Sequence, residues 1–293
     1  MTRLHTPVLL EEVLKWLDPR PGQRFIDGTV GHGGHAEAIL KRILPTGRLL
    51  AIDRDAENLA TARERLAPFG NIATFVHDSY VSLEQQAYAF DPALVDGILL
   101  DLGFSSAHVE DPARGFAFSA SGPLDMRYDQ SQGMTAADLV NTYDKAELTK
   151  IFRLYGEEPR AQQIAQALVN IRRQHPIQTT AELVDIILSV SPRRGKVHPA
   201  TRVFQALRIA VNDELGAVVR VLPQTMERLK IGGRLAVISF HSGEDRLVKR
   251  WMKAGEGKWL RILTKKAVVP SQEEMSQNPR SRSAKLRVAE RIS

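Results

Sequence analysis

The sequence contains no cysteine among its 293 residues. This absence excludes disulfide bonds and thiolate metal sites, and it favours a reducing compartment such as the cytoplasm. No apolar run approaches the roughly 20 residues that a membrane-spanning helix needs. The N-terminal residues also lack a signal-peptide pattern. We therefore expect a cytoplasmic protein that is neither secreted nor inserted into a membrane.

Acidic residues are scarce in two parts of an otherwise balanced chain. The net charge of +6 falls on residues 258–293, where nine Lys and Arg face three Glu. No acid lies between residues 189 and 212 either. The cations of this second stretch are Arg193, Arg194, Lys196, Arg202 and Arg208. Clustered cations suit a polyanion such as nucleic acid, although a solvated surface has the same charge pattern. The C-terminal cations that we expect to contact nucleic acid are Arg280, Arg282, Lys285 and Arg287.

Short apolar runs alternate with helical patterns over the first hundred residues. The runs are RFIDGTV, RLLAIDRD, IATFVHD and VDGILLDLG. Nearly all-apolar strands that alternate with helices are typical of a parallel sheet covered on both faces. We therefore predict an α/β fold with a doubly wound, mostly parallel sheet.

A long helical stretch interrupts this pattern after Leu102. No strand candidate follows until GGRLAVISFH at 232–241, and the last two candidates are KWLRILTKKAVV and SAKLRVAERI. An antiparallel pair of these last two would close the sheet. The simplest arrangement is a helical domain at 111–214, inserted between two parts of the α/β domain at 1–110 and 215–293.

The glycine-rich loop IDGTVGHGGH, residues 26–35, follows the first strand and opens the first helix of this pattern. Such a loop lets backbone amides approach a ligand closely. Asp53 ends the next strand, where a carboxylate can accept hydrogen bonds from both ribose hydroxyls. Asp27 would repel a pyrophosphate but attract an ammonium or sulfonium. The loop therefore favours S-adenosylmethionine over NAD, with a merely tight turn as the simpler alternative. Thr29 takes the place of the first glycine in the methyltransferase form of this motif.

Polar residues at other strand ends extend the predicted site. Asp101 ends the fourth strand, where a carboxylate can accept a hydrogen bond from an amine that receives a methyl group. Capping of the following turn is the competing explanation. His32 and His35 lack a convincing third metal ligand nearby, so we expect no metal and predict that both line the cofactor pocket.

Two later motifs allow both a structural and a functional interpretation. Residues 198–215 form an amphipathic pattern. Its apolar arc, expected in the core, comprises Val203, Phe204, Leu207, Ala210 and Val211. Its polar arc comprises Arg202, Gln205, Arg208 and Asn212, and its two arginines can face phosphates. The segment FHSGEDR at 240–246 either supplies His241, Ser242 and Asp245 to the site or begins a helix capped by Ser242.

Long motifs spread over the whole chain resemble one known family. They are HTPVLLEEVL (5–14), DGTVGHGGH (27–35), DLGFSS (101–106), RGFAF…GPLDMRYD (114–129), YGEEPRAQQIAQALV (155–169), HPATRVFQALRIAVNDEL (198–215), GGRLAVISFHSGEDRLVKR (232–250) and NPRSRSAKLRVAER (278–291). In this order they are similar to the bacterial 16S ribosomal RNA cytosine-4-amino methyltransferases, the RsmH/MraW family. The resemblance implies a Rossmann-like class I fold that uses S-adenosylmethionine. It also implies methylation of the exocyclic 4-amino group of one cytidine in 16S rRNA of the small ribosomal subunit, near the decoding centre.

The resemblance also implies roles for single residues. The implied cofactor-binding residues are Gly33, Gly34, His35, Asp53, Tyr80, Asp101 and His108. His108 stands where the family has Gln, and Tyr80 stands where it has Phe. Two alternatives stay open, an NAD-dependent oxidoreductase and an RNA-binding assembly factor without turnover. A monomer and a homodimer are both compatible with the sequence.

Overall fold

The computed structural model describes residues 7–91, 93–192 and 198–293. The chain divides into two compact units. The first unit comprises Met1–Gly103 with Leu215–Ser293, and the second unit comprises Phe104–Glu214. Three cations of the predicted basic stretch, Arg193, Arg194 and Lys196, lie outside the described residues. Within the described part of the chain, every helix is too short or too polar to cross a membrane.

The described residues of the first unit form a seven-stranded sheet. Its strands are β1 (Arg24–Asp27), β2 (Arg48–Asp53), β3 (Ala73–His77), β4 (Val95–Asp101), β5 (Leu229–Ser239), β6 (Leu260–Ile262) and β7 (Lys285–Arg291). The strand order is β3-β2-β1-β4-β5-β7-β6. Strands β1 to β5 pair in parallel, whereas β7 runs antiparallel to both β5 and β6. The predicted mostly parallel sheet is confirmed, together with the antiparallel pair at its end.

Helices alternate with the first strands of the sheet and continue through the second unit. Those before the second unit are α1 (Leu10–Leu17), α2 (Gly34–Ile43), α3 (Ala56–Leu66) and α4 (Leu83–Phe90). The helices within the second unit are α5 (Ser106–Glu110), α6 (Ala136–Thr142), α7 (Lys145–Gly156), α8 (Ala161–Ile171), α9 (Thr180–Val190) and α10 (Ala200–Asn212). The remaining helices are α11 (Glu214–Arg228), α12 (Ser242–Gly255) and α13 (Gln272–Gln277).

Apolar helix faces cover both sides of the sheet. Phe25 and Leu49 pack with buried residues of α1, α2 and α3. Their chain neighbours Ile26 and Leu50 pack on the other side with residues of α4, α11 and α12. Successive strand residues point to opposite faces, so burial of both faces requires the unbroken apolar runs seen in the sequence. The parallel strands also bring their carboxyl ends to one edge of the sheet.

The second unit has a core of its own. Buried apolar side chains from α6 to α10 form one cluster, with Phe152, Leu168 and Leu183 among its fully buried members. The amphipathic pattern of residues 198–215 corresponds to α10, where Phe204 and Leu207 are buried as predicted. This core is built from helices that contact one another, so the second unit carries its own hydrophobic stabilisation.

The polar arc of α10 differs from the prediction at two positions. Asn212 is buried, where its amide donates to the carbonyl of Met126 at 2.7 Å. Arg208 donates two hydrogen bonds to the Glu214 carboxylate, at 2.8 and 2.9 Å. Its guanidinium also lies 4.4 Å from the ring centroid of Phe104. Both side chains are therefore engaged inside the second unit, whereas Arg202 is exposed.

Candidate active site

The loop between β1 and α2 depends on glycine for both conformation and packing. Gly31 and Gly33 have φ values of 51° and 78°, in the left-handed region, and Gly33 is the N-cap of α2. A Cβ atom at Gly34 would lie only 2.4 Å from Cγ of Pro7. Side chains at these positions would strain the backbone or displace their neighbours. The loop therefore brings backbone N–H groups to the edge of the sheet with little steric cover.

Asp53 at the end of β2 supports this loop directly. Its Oδ2 accepts the N–H of Gly31 at 2.7 Å, and its Oδ1 accepts the N–H of Asp55 at 2.8 Å. A carboxylate has about four lone-pair sites and can accept several donors at once, hydroxyls among them. Asp53 thus couples the conformation of the glycine loop to any ligand that it binds.

Thr29 links the ends of two strands, a role that sequence reasoning missed. Its Oγ1 accepts the N–H of Asp101 at 2.6 Å. Its own N–H donates to Oδ1 of Asp27 at 3.1 Å, and its side chain also bonds to that carboxyl group. Glycine cannot make the side-chain bonds. A threonine where the motif has glycine is the sequence feature from which these bonds could have been predicted. Together the bonds fix Asp27 and Asp101 relative to each other.

Carboxyl groups gather at this edge of the sheet. Burial raises the pKa of Asp27 to about 7 against the lowering effect of the Thr29 N–H, and the Asp53 charge adds to the rise. Burial also raises the pKa of Asp101, helped by the charges of Asp27 and Glu244. Such a cluster repels phosphate groups and stabilises a cation.

Substitution of Asp27 by asparagine tests its raised pKa. An aspartate in the unfolded chain has a pKa of about 3.9, whereas burial raises the pKa of Asp27 in the folded chain to about 7. The native state therefore binds more protons between these values, and stability falls as pH rises through this window. Asparagine keeps an oxygen for the Thr29 N–H but carries no charge. We expect the stability advantage of Asp27→Asn over wild type, measured by urea unfolding, to widen from pH 5 to pH 8. An advantage that is equal at both pH values would contradict the raised pKa.

Asp101 presents one carboxylate oxygen that lacks a hydrogen-bond partner among the described residues. This atom, Oδ1, is buried. The other oxygen, Oδ2, lies 3.6 Å from Nδ1 of His35. His35 is itself buried in the first turn of α2, and its Nε2 lies 2.9 Å from the carbonyl oxygen of Val8. Leaving a buried carboxylate oxygen unsatisfied costs free energy, so Oδ1 is a candidate acceptor for a ligand donor.

The two remaining predicted cofactor residues belong to different units. Tyr80 begins a short 3₁₀ helix after β3 and is partly buried. His108 lies in α5 of the second unit, where its Nδ1 accepts the N–H of Ser105 at 3.1 Å. Its ring stacks on Phe116 with centroids 4.9 Å apart. The predicted contacts of Tyr80 and His108 with the cofactor stay predictions.

The segment after β5 begins a helix, but its cap differs from the prediction. Ser242 was the expected cap, and this prediction is wrong because His241 takes that position. Nδ1 of His241 accepts the N–H groups of Gly243 and Glu244, at 3.2 and 3.4 Å. Glu244 in turn accepts the N–H of Phe240 at 2.9 Å. His241 therefore has a structural role at the start of α12.

Comparison with known proteins finds relatives over the full length of the chain. The model of the MraW methylase family matches residues 2–292. "Ribosomal RNA small subunit methyltransferase H" of Thermomicrobium roseum is 48% identical, over 100% of this chain and 95% of its own length. The protein of the same name from a Cyanothece species is 48% identical, over 99% of this chain and 95% of its own length.

Solved structures share the fold at low sequence identity. A Clostridium thermocellum protein proposed to be an rRNA methylase has a TM-score of 0.51 and 12% identity, and covers 99% of this chain and 100% of its own. A Streptococcus mutans protein proposed to be a methyltransferase, solved in complex with SAH, has a TM-score of 0.50 and 12% identity. The match covers 98% of this chain and 100% of that one. These two likenesses support the α/β methyltransferase fold alone.

Proposed function

The chain belongs to the MraW methylase family, and we propose that it transfers a methyl group from S-adenosylmethionine to 16S rRNA of the small ribosomal subunit. The acceptor we propose is the exocyclic 4-amino group of one cytidine near the decoding centre. The observation that carries this proposal is the carboxyl edge of the sheet. There, the glycine loop meets the acids that end β1, β2 and β4. Relatives of the chain that are named ribosomal RNA small subunit methyltransferase H support RNA as the methyl acceptor.

The residues at this edge fit S-adenosylmethionine better than a dinucleotide. The carboxyl groups of Asp27 and Asp101 favour a sulfonium and an ammonium, but they oppose a pyrophosphate. Asp53 ends β2, where a carboxylate can accept hydrogen bonds from ribose hydroxyls. When bound, S-adenosylmethionine supplies an electrophilic methyl group on a positively charged sulfur. The first-unit residues that we propose to hold it are Gly33, Gly34, His35, Asp53, Tyr80 and Asp101.

Asp101 is the residue that we assign to the accepting amine. A cytosine amine donates its lone pair into the ring and is a poor nucleophile. Oδ1 of Asp101 accepts a hydrogen bond from this amine, so that the nitrogen lone pair points toward the methyl group. After transfer, the nitrogen loses one proton to the same oxygen. The raised pKa of Asp101, caused by burial, suits a group that receives a proton.

The substrate base must leave its stack to reach a pocket at a sheet edge, so flanking phosphates need separate contacts. The predicted C-terminal cations fall into two pairs. Arg280 and Arg282 are exposed. Lys285 and Arg287 on β7 contact the Asp245 carboxylate, at 3.4 and 2.7 Å. Their greater exposure makes Arg280 and Arg282 the better candidates for phosphate binding.

Replacement of Arg280 and Arg282 by glutamine is expected to weaken binding of small-subunit rRNA. The logarithmic salt slope should fall by roughly 0.7 to 0.9 per lost phosphate contact. The matched control is Lys285→Gln with Arg287→Gln, which removes the partners of Asp245 and should lower the unfolding midpoint while changing the salt slope less. Binding is measured by filter retention at several salt concentrations. If the first variant keeps wild-type affinity and slope, the exposed pair does not contact RNA.

A binding assay and a transfer assay test the proposed function together. We expect calorimetry to detect binding of S-adenosylmethionine and none of NAD. We also expect transfer of labelled methyl from S-adenosylmethionine to rRNA of small subunits isolated from cells that lack the protein. Binding of NAD alone would support the oxidoreductase alternative. Binding of S-adenosylmethionine without transfer to any rRNA would support an assembly factor without turnover.

A further inference from the structure

The ring of His35 is held in one tautomer by its surroundings. Its Nε2 lies 2.9 Å from the carbonyl oxygen of Val8, which can only accept a hydrogen bond, so Nε2 carries a hydrogen. The residue is 6% exposed, and the ring is therefore unable to turn away into solvent. Its second nitrogen, Nδ1, lies 3.6 Å from Oδ2 of Asp101.

This arrangement favours a proton between His35 and Asp101. A neutral ring with hydrogen on Nε2 presents a lone pair at Nδ1. An ionised carboxylate presents lone pairs at Oδ2, and two such atoms facing each other repel. One proton, on either atom, converts the contact into a charge-assisted or neutral hydrogen bond that can shorten from 3.6 Å.

The neighbouring charged groups favour retention of this proton. Asp27 at the end of β1 and Glu244 in α12 both act on Asp101 with negative charge, and Asp53 acts in the same way on Asp27. His241 faces Glu244, with its Nε2 3.4 Å from that carboxylate. A site lined mainly by acids stabilises an additional proton, because that proton reduces the repulsion among carboxylates.

We propose that His35 is a positioning residue for methyl transfer, which shares one proton with Oδ2 of Asp101 and thereby directs Oδ1 toward the amine. This inference rests on the proposed function, in which Asp101 receives the amine proton. The contact with Nδ1 distinguishes the two carboxylate oxygens, which rotation of the carboxyl group would otherwise exchange. It explains why Oδ1 is the oxygen that lacks a partner among the described residues.

The proton balance of the reaction agrees with this role. The new N–C bond uses the lone pair of the amine nitrogen, and the electrons of the broken S–C bond stay on sulfur. The nitrogen then loses one proton to Oδ1 of Asp101. The shared proton stays on Nδ1 of His35, hydrogen-bonded to Oδ2, so the pair changes from an imidazolium with an ionised carboxylate to an imidazolium with a neutral carboxyl group. The charges of Asp27 and Glu244 offset this gain of one positive charge.

The side chain and the backbone of His35 have separate tasks in this account. The resemblance implies that Gly33, Gly34 and His35 bind the cofactor. The backbone N–H groups of the first turn of α2 have no acceptor four residues earlier in the helix and suit such binding. The imidazole instead acts through Asp101. A variant at His35 should therefore affect turnover and its pH dependence more than cofactor affinity.

Histidine NMR tests the shared proton without any RNA. In the full-length protein we expect His35 to show hydrogen on Nε2 at all pH values. Its titration should move to lower pH by about 1 to 3 units in Asp101→Asn, because the ring loses a carboxylate partner. An identical titration in both proteins would overturn the proposal. Because no substrate is present, this outcome does not depend on whether the protein methylates rRNA.

Two amide variants separate positioning from packing. His35→Gln places an amide nitrogen near the Nε2 position and can keep the bond to Val8, but it lacks the group that faces Asp101. His35→Asn places an amide nitrogen near Nδ1 and can keep a donor for Asp101. At saturating S-adenosylmethionine we expect His35→Gln to lower kcat by about 10- to 100-fold. The acidic limb of its pH profile should move to higher pH, because Asp101 loses a positive neighbour. His35→Asn should retain more of the rate.

Two results would contradict the positioning role. In the first, His35→Gln weakens S-adenosylmethionine binding but keeps kcat, as expected of a residue that only binds the cofactor. In the second, both variants lose the same activity and keep the wild-type pH profile, as expected of a residue that only packs. The unfolding midpoint of each variant, measured beside the kinetics, verifies that the compared proteins are folded.

Discussion

Asp101→Asn is expected to lower turnover by roughly two to four orders of magnitude, the usual scale for removal of a positioned acid–base group. Asparagine keeps an oxygen that can accept a hydrogen bond from the amine. It cannot take up the proton that the nitrogen releases after methylation. The rate should be measured at saturating S-adenosylmethionine in a single turnover, so that weaker cofactor binding does not contribute.

The fold should survive this substitution. The backbone N–H of Asp101 is bound by Oγ1 of Thr29, a contact that does not involve the substituted side chain. The carboxyl group is buried with a raised pKa, so its neutral replacement removes an unfavourable charge. We expect an unfolding midpoint at or above that of wild type at pH 8. Turnover near the wild-type rate would mean that Asp101 only binds the cofactor or caps the turn.

Asp53→Ala is expected to weaken S-adenosylmethionine binding by about 2 to 4 kcal/mol, through loss of charge-assisted hydrogen bonds to the ribose. This corresponds to an increase in Kd of about 30- to 1,000-fold. The same substitution leaves the N–H of Gly31 without its acceptor, so the glycine loop also loses support. Isothermal calorimetry with the purified protein measures the change.

Asp53→Asn serves as the matched control for that experiment. Its amide oxygen can still accept the N–H of Gly31, while the negative charge and one acceptor oxygen are lost. We expect a Kd between those of wild type and Asp53→Ala. If Asp53→Ala binds S-adenosylmethionine with a Kd within about threefold of wild type, the ribose assignment is wrong.

The sheet was predictable because its strands are buried on both faces. Phe25 and Ile26 lie next to each other in the sequence yet pack on opposite sides of the sheet. Consecutive apolar residues in β1 therefore predict a parallel strand with helices on both faces. The antiparallel end of the sheet followed from the two late apolar segments. By contrast, the burial of Asn212 did not follow from helical periodicity. It depends on the carbonyl of Met126, far away in the sequence.

The acids of the site were predictable for a related reason. Asp27, Asp53 and Asp101 each end a strand, and parallel strands bring their carboxyl ends to one edge. The contacts between side chains were not predictable. The bond from Asp101 to Thr29 depends on strand register, and the contact of His35 with Asp101 depends on the direction in which α2 presents its first turn.

Mass-spectrometric mapping of methylated nucleosides tests the central claim most directly. Small-subunit rRNA is compared between cells that lack the protein, cells that contain it, and cells that contain the Asp101→Asn variant. We predict that one N4-methylated cytidine of 16S rRNA near the decoding centre loses this methyl group without the protein, and that wild type, but not the variant, restores it. A 16S rRNA whose cytidine methylation is identical in the presence and absence of the protein would contradict the account.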